Sequence, residues 1–116
     1  MNKLFAVVLI FAGEALSIGA ELVASKRVAA APSEHVAIFL MMFIPIVVGG
    51  ALLVAGYMLG YLYVRNIWII AAVSIGSILV VEPMLAWLLF REIPTTGAAI
   101  GLVLGVVGVV ISVGVK

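Results

Sequence analysis

The sequence predicts an all-α integral membrane protein with four transmembrane helices, and two observations carry that prediction. Of the 116 residues, 67% are hydrophobic and 9% are charged, with a mean hydropathy of +1.48. A soluble domain would carry charges on about a quarter of its residues. Four apolar runs, at 4–24, 36–64, 67–90 and 96–115, each reach the roughly 20 residues that cross a bilayer. We expect them to form one domain, 1–116.

The same composition excludes several classes of function. The chain has no cysteine and one histidine, His35, so it offers no thiolate or imidazole cluster for a metal or redox cofactor. A net charge of +1 without a basic run gives no footprint for nucleic acid. The sequence also offers no catalytic pair of a nucleophile and a general base. We therefore expect neither an enzyme nor a bound cofactor or metal.

Charged and turn residues separate the four runs. The breaks carry Lys26, Arg27 and Pro32, then Arg65 and Asn66, then Arg91, Glu92 and Pro94. The first run also has the charged start of a secretion signal, but Ile18 stands where cleavage after Ala20 would need a small residue. We expect this run to be retained as a span.

Helix starts and a kink are predicted from capping and proline chemistry. Ser33 with Glu34 suits the start of the second span, and Thr95 suits the start of the fourth, because their oxygens can accept from free first-turn amides. The long second span contains Pro45 and the pair Gly49 and Gly50, which together predict a kink.

The orientation of the chain is undecided by its charges. Lys3, Arg65 and Lys116 fall on one side, and Lys26, Arg27 and Arg91 fall on the other. With three basic residues on each side, neither side has the excess of lysine and arginine that normally fixes the orientation in the membrane. Insertion both ways would permit an antiparallel homodimer, whereas a single orientation set by a partner chain is the alternative.

Glycines mark one stripe of the fourth span. Gly97, Gly101 and Gly105 recur every fourth residue and Gly108 lies close to the same face, a spacing that lets helix backbones approach closely in lipid. We interpret the stripe as a dimer face, with packing inside the protomer as the alternative. Gly56 and Gly60 are a weaker instance.

Glu14 is the most informative residue, because a carboxylate in the middle of a span is costly unless it is neutral, paired or wetted. At about 100° per residue, Ser17 and Glu21 fall near its face. Since burial disfavours the charged form, Glu14 is suited to exchange a proton for substrate. The alternative is a protonated carboxyl that bonds a neighbouring helix.

Other polar and aromatic residues extend this predicted proton and substrate site. Glu82 directly precedes Pro83 and follows Ser74 by about two turns. It serves either transport or the kink that Pro83 introduces into the third span. Tyr57, Tyr61 and Trp87 offer rings to a cation, although packing is their more frequent use. Trp68 and Tyr63 fit anchors at the membrane boundary, and His35 fits a wet surface position.

The stretch 74–111 contains VEPMLAW at 81–87, FREIPT at 90–95 and the glycine stripe. It resembles the closing helices of EamA-type transporters in the drug/metabolite transporter superfamily. The four-span size and the first-span Glu14 resemble its small multidrug resistance branch. That resemblance implies an antiparallel homodimer that couples proton entry to export. The Tyr-x-x-Trp pattern of that branch is not found, and its membrane-edge lysine after the first helix is not matched cleanly, since Lys26 comes late.

Together these features predict a small transporter of the inner membrane, acting as a dimer around Glu14 of both copies and coupled to protons. Its partners would be itself or a paralogous chain, the bilayer, and a small-molecule or lipid-linked substrate. Two alternatives stay open. One is a flippase subunit for polyprenyl-linked sugar, and the other is a structural subunit of a larger membrane complex that transports nothing.

Overall fold

A computed structural model describes residues 2–115, and this part of the chain is helical apart from short connections. The elements are α1 (Asn2–Ala30), a 3-10 turn (Pro32–Glu34), α2 (His35–Met41), α3 (Phe43–Val64), α4 (Ile67–Phe90) and α5 (Thr96–Gly114). Four segments are long and apolar enough to cross a bilayer: Lys3–Ala30, Pro32–Val64, Ile67–Phe90 and Thr96–Gly114. The chain thus has the architecture of a multi-pass membrane protein.

The first helix is longer than the sequence predicted. Its end was expected near Ala24, but the helix continues to Ala30, so Lys26 and Arg27 lie in its last turns. Lysine and arginine have good helix propensity and their charges suit the negative end of a helix dipole, so they do not interrupt it. Lys26 extends across to α4, where its Nζ donates to the Leu89 carbonyl oxygen at 2.7 Å.

The second span is interrupted between α2 and α3. The interruption lies at Met42, which is in a turn. Pro45 has no amide hydrogen to donate to the carbonyl of Met41, four residues earlier, and its ring crowds that carbonyl. The proline therefore accounts for the break one turn before it, whereas Gly49 and Gly50 lie within continuous helix.

Side chains cap two helices, and one predicted cap is wrong. The Thr95 hydroxyl accepts from the Ala98 amide at 3.2 Å, as expected, and the Asn66 Oδ1 accepts from Trp68 at 3.0 Å. Ser33 does not cap the second span. That segment opens instead on a 3-10 turn with Pro32 at its start and Ala31, which has no acceptor side chain, before it.

Three helices, α1, α3 and α4, contact one another, and the contacts are unequal. α1 packs mainly against α3 and secondly against α4, whereas α5 touches only α4 among the described elements. Ala6, Ile10 and Ile18 of α1 are buried, and so is Ile70 of α4, which packs against Gly60 of α3. The described chain measures 48 × 34 × 18 Å, and no residue of α5 is buried. Glu14 lies in the densest part of this arrangement.

Candidate functional site

Glu14 lies in the tightly packed seam of α1 with α3 and α4. It is 8% exposed, and it is the one acidic side chain that is buried among the described residues. Ser74 of α4 is a polar neighbour of its carboxyl group. Most other buried neighbours on α1, including Ile10, Gly13 and Ile18, are apolar. Such surroundings stabilise a carboxylate poorly, so the charge state of Glu14 is sensitive to what enters the seam.

Close backbone contact holds α1 against α3 beside this acid. A Cβ placed on Gly13 would stand 2.7 Å from the Gly49 carbonyl oxygen, and a Cβ on Gly49 would stand 2.7 Å from Ser17 Oγ. Neither residue therefore tolerates a side chain without movement of a helix. Ser17 thus faces α3 at Gly49, while the neighbouring Glu14 is directed toward Ser74 of α4.

Two buried serines, Ser74 and Ser77, lie on the side of α4 that faces this seam. Ser77 is fully buried and its Oγ donates to the Ser74 carbonyl oxygen at 2.7 Å. This bond lies within the helix, a pattern that occupies a serine in the absence of a better partner. Ser74, one turn earlier, is also buried and faces the acid.

The other two acids of the predicted site lie farther along the same seam. Contacts of Glu14 with Ser74, Gly19 with Leu85, and Lys26 with Leu89 progress together along both helices. α1 and α4 are therefore parallel, which puts Glu21 level with the turn of α4 that carries Glu82. Both side chains are exposed.

A cleft of about 580 Å³ separates the second half of α4 from the first half of α5. Its wall is mostly apolar and also carries Glu82, Trp87 and, at its outer end, Glu92 and Thr95. The Arg91 guanidinium lies over the Trp87 ring, 4.7 Å from its centre. Because α5 touches only α4, the far side of this cleft is not covered by another part of the described chain.

The predicted residues thus fall into two groups. Glu14, Ser17 and Ser74 meet in the α1 seam, and Glu82 and Trp87 line the α4–α5 cleft, with Glu21 level with Glu82 on α1. Tyr57 is half-buried on α3, next to Gly56, which packs on Ile10. Of the glycine stripe, only Gly105 packs inside the protomer, where an added Cβ would stand 3.0 Å from Leu79 Cδ2. A Cβ on Gly97, Gly101 or Gly108 would meet nothing within 4 Å.

The prediction named Ser17, Gly56 and Gly60 but missed that Gly13 and Gly49 hold two helices together, although the spacing of small residues indicates it. Gly13 and Ser17 are four residues apart, and Gly49 and Gly56 are seven apart, which puts each pair on one helix face. These small residues, together with Gly60 against Ile70, form the contacts inside the protomer. The Lys26 bond to Leu89 has no local sequence signature, since it joins residues 63 positions apart.

Within the described residues, no group of three or more His, Cys, Asp or Glu side chains is placed to hold a metal ion. Comparisons with protein families, with curated proteins and with solved structures give no significant match to this chain.

Proposed function

We propose that the protein is a small-molecule membrane transporter of the drug/metabolite type, coupled to protons through Glu14. The single observation that carries this proposal is the burial of Glu14, at 8% exposure, in the seam of three helices long enough to span a bilayer. An acid in such a place marks a substrate or proton path more often than a structural bond.

The chemistry follows from competition for one carboxyl group. Glu14 is neutral when it holds a proton and is stabilised as an anion only when a cationic or hydrogen-bonding substrate takes the place of that proton. Proton and substrate therefore exclude each other, which is the requirement for exchange across the membrane. Ser17 and Ser74 supply hydroxyl groups that accept or donate as the occupant changes.

A dimer supports this function better than a single copy. Gly97, Gly101 and Gly108 of α5 leave room for a close helix contact that the protomer itself does not use. A second copy would complete a cavity around Glu14 and would open it to either side by rocking.

The direct test replaces Glu14 by glutamine and measures substrate-driven proton release and pH-driven exchange in proteoliposomes. We expect Glu14→Gln to abolish the pH dependence of exchange and the proton release, while the particle keeps its size and helix content. Glu34→Gln, at the exposed turn before α2, is the matched control. Unchanged exchange by Glu14→Gln would overturn the proposal.

One observation favours a second candidate function, the flipping of a lipid-linked substrate. The mostly apolar α4–α5 cleft is not covered by another helix of the described chain, so a lipid chain could enter it from the bilayer. Assays with lipid-borne and with water-soluble substrates in the same vesicles separate the two functions. Co-purification with unrelated subunits in fixed ratio, without transport of either substrate, would instead indicate a structural subunit.

A further inference from the structure

α4 and α5 are in contact along one half of their length and separate along the other. A Cβ on Gly76 would stand 3.2 Å from Val109 Cγ1. One on Gly105 would stand 3.0 Å from Leu79 Cδ2, so the helices are in contact there. Nearer their connection, a Cβ on Gly101 would meet nothing within 4 Å, although Gly101 belongs to the wall of the α4–α5 cleft. The cleft is therefore wedge-shaped and widens toward the connection between the two helices.

The wall of the cleft is apolar along most of its length. Phe90 and Ile93 are part of it, and Ile93 is 85% exposed within the described chain. An apolar cavity of roughly 150 Å³ holds a benzene molecule, whereas this cleft measures about 580 Å³. Because α5 contacts only α4 among the described elements, the cleft is open to the bilayer. It thus has room for part of the hydrocarbon chain of a lipid.

The outer end of the cleft carries two opposite charges. The Arg91 amide donates to the Trp87 carbonyl oxygen at 2.8 Å, and the Arg91 guanidinium lies over the Trp87 ring, which lines the cleft. These contacts hold the guanidinium beside the mouth of the cleft, and a contact with a ring face requires none of the five N–H donors of arginine. The Glu92 side chain is exposed and is itself part of the cleft wall. A cation and an anion thus lie side by side where both helices end.

A lipid fits this cleft better than a helix of a second copy. A packed helix would cover Glu82, which lies farther inside the cleft. The helices from α2 to α5 have no lysine or arginine to pair with it, and α1 has basic residues only near its ends. A carboxylate that is covered without a partner is costly. A lipid chain is fluid, so the Glu82 side chain can extend along it toward the membrane surface.

We propose that the α4–α5 cleft binds a phospholipid with an amino headgroup, of the phosphatidylethanolamine type. One acyl chain lies in the cleft, the Arg91 guanidinium donates to the phosphate, and the ammonium donates to the Glu92 carboxylate. The N–H groups of arginine match the oxygens of a phosphate, and an ammonium has three N–H donors for a carboxylate. A trimethylated choline headgroup lacks those donors, and a glycerol headgroup lacks the cation. This site does not involve Glu14, so it is independent of the proposed transport mechanism.

Tryptophan fluorescence tests the proposal, because bromine atoms on a lipid chain quench a tryptophan that they contact. Trp68→Phe leaves Trp87 as the one tryptophan. The full-length protein is placed in phosphatidylcholine vesicles that contain a minor fraction of chain-brominated lipid with an ethanolamine, choline or glycerol headgroup. We expect the ethanolamine lipid to quench Trp87 about threefold more effectively than either of the others, which is the size of effect that an exposed ion pair provides.

The other tryptophan is the matched control. In Trp87→Phe the signal comes from Trp68, which is 80% exposed and lies near Arg65, outside the cleft. Arg65 ends α3 in the same left-handed conformation in which Arg91 ends α4. We expect the three headgroups to quench Trp68 equally, because a basic residue at a helix end is not sufficient for recognition.

Two variants assign the headgroup contacts. Glu92→Gln should remove the preference of the Trp87 site for ethanolamine over choline, whereas Glu34→Gln, in an exposed turn on the same side of the membrane, should keep it. Brominated diacylglycerol, which has no phosphate, should quench Trp87 least. Arg91→Gln should remove that disadvantage, because the contact with the phosphate is then lost.

Several outcomes would overturn the proposal. Equal quenching of Trp87 by the three phospholipids would do so, and so would stronger quenching by the glycerol lipid or an unchanged preference in Glu92→Gln. Quenching by none of them would show that protein covers the cleft, which also excludes the lipid. If the tryptophan variants do not fold, native mass spectrometry of the unmodified chain and of Glu92→Gln from mixed lipid decides. The unmodified chain should retain the ethanolamine lipid and Glu92→Gln should not, whereas equal retention would contradict the proposal.

Discussion

Gly13 and Gly49 bring the backbones of α1 and α3 into direct contact, and this contact fixes the position of Glu14. A Cβ on Gly13 would stand 2.7 Å from the Gly49 carbonyl oxygen, and a Cβ on Gly49 would stand 2.9 Å from the Gly13 carbonyl oxygen. Lipid supplies no hydrophobic drive between helices, so close packing of this kind carries much of the association. Because Gly13 precedes Glu14, any change at this contact also moves the acid.

Gly49→Ala should therefore destabilise the fold, while its neighbour Gly50→Ala should not. The added methyl group at Gly49 meets Ser17 Oγ and backbone within 3.0 Å, whereas a Cβ on Gly50 meets nothing within 4 Å. We expect a loss of about 1–3 kcal/mol in the free energy of unfolding for Gly49→Ala, and no loss for Gly50→Ala. Reversible unfolding in mixed detergent micelles measures both. Equal stabilities would show that the helices are not packed at this contact.

Much of the helical architecture followed from composition, since long apolar runs and their breaks are visible in the sequence. The helix ends at Ile67 and Phe90 lie where Asn66 and Arg91 indicated them, because an amide cap and a charged turn act locally. The end of α1 was misjudged, because a charged residue stops a hydrophobic run without stopping a helix. The break at Met42 likewise depends on a proline three residues later.

The candidate site was less predictable, because its residues are combined by packing between helices. Periodicity placed Glu14 and Ser17 on one face of α1, but it does not reveal that Ser74 faces Glu14 while Gly49 faces Ser17. The sequence also suggested one site, whereas Glu82 and Trp87 line a separate cleft against α5. That separation depends on the parallel register of α1 and α4, which is set by contacts between residues far apart in the chain.

Lys26→Met should destabilise the end of α4. The lysine ammonium donates at 2.7 Å to the Leu89 carbonyl, one of the last four carbonyls of the helix, which have no partner inside it. We expect a loss of about 1 kcal/mol in unfolding free energy, together with faster hydrogen exchange of amides near Arg91. Arg27→Met, which removes an equal charge from the neighbouring exposed position, is the control. An equal loss in both variants would assign the effect to net charge.

Gly108→Leu should weaken self-association without disturbing the protomer. A Cβ on Gly108 meets nothing within 4 Å inside the protomer, whereas bulk on a small-residue stripe prevents close approach by a second helix. Val110→Leu adds bulk on the opposite side of α5, two residues on, and should be neutral. Dissociation in detergent followed by energy transfer between labelled copies measures both. Unchanged association of Gly108→Leu would exclude this stripe from the dimer contact.

The balance of basic residues makes orientation sensitive to a single charge. Arg65 lies between α3 and α4, on the same side as Lys3, whereas Arg91 lies on the side of Lys26 and Arg27. Removing one charge from an even balance leaves an excess on the other side, and that side is retained in the cytoplasm. Arg65→Ala and Arg91→Ala should therefore bias the chain toward opposite orientations.

The absence of cysteine in the chain makes this prediction measurable with one introduced thiol. Ser33→Cys, in the turn between α1 and α2, reacts with a membrane-impermeant maleimide in intact cells only when that turn faces outward. We expect partial labelling with the native charges, less with Arg65→Ala and more with Arg91→Ala, while Arg65→Lys leaves labelling unchanged. Identical one-sided labelling in all four backgrounds would mean that something other than these charges sets orientation. An antiparallel pair of identical chains would then be impossible, and the partner would have to be a different chain or a copy inserted the same way.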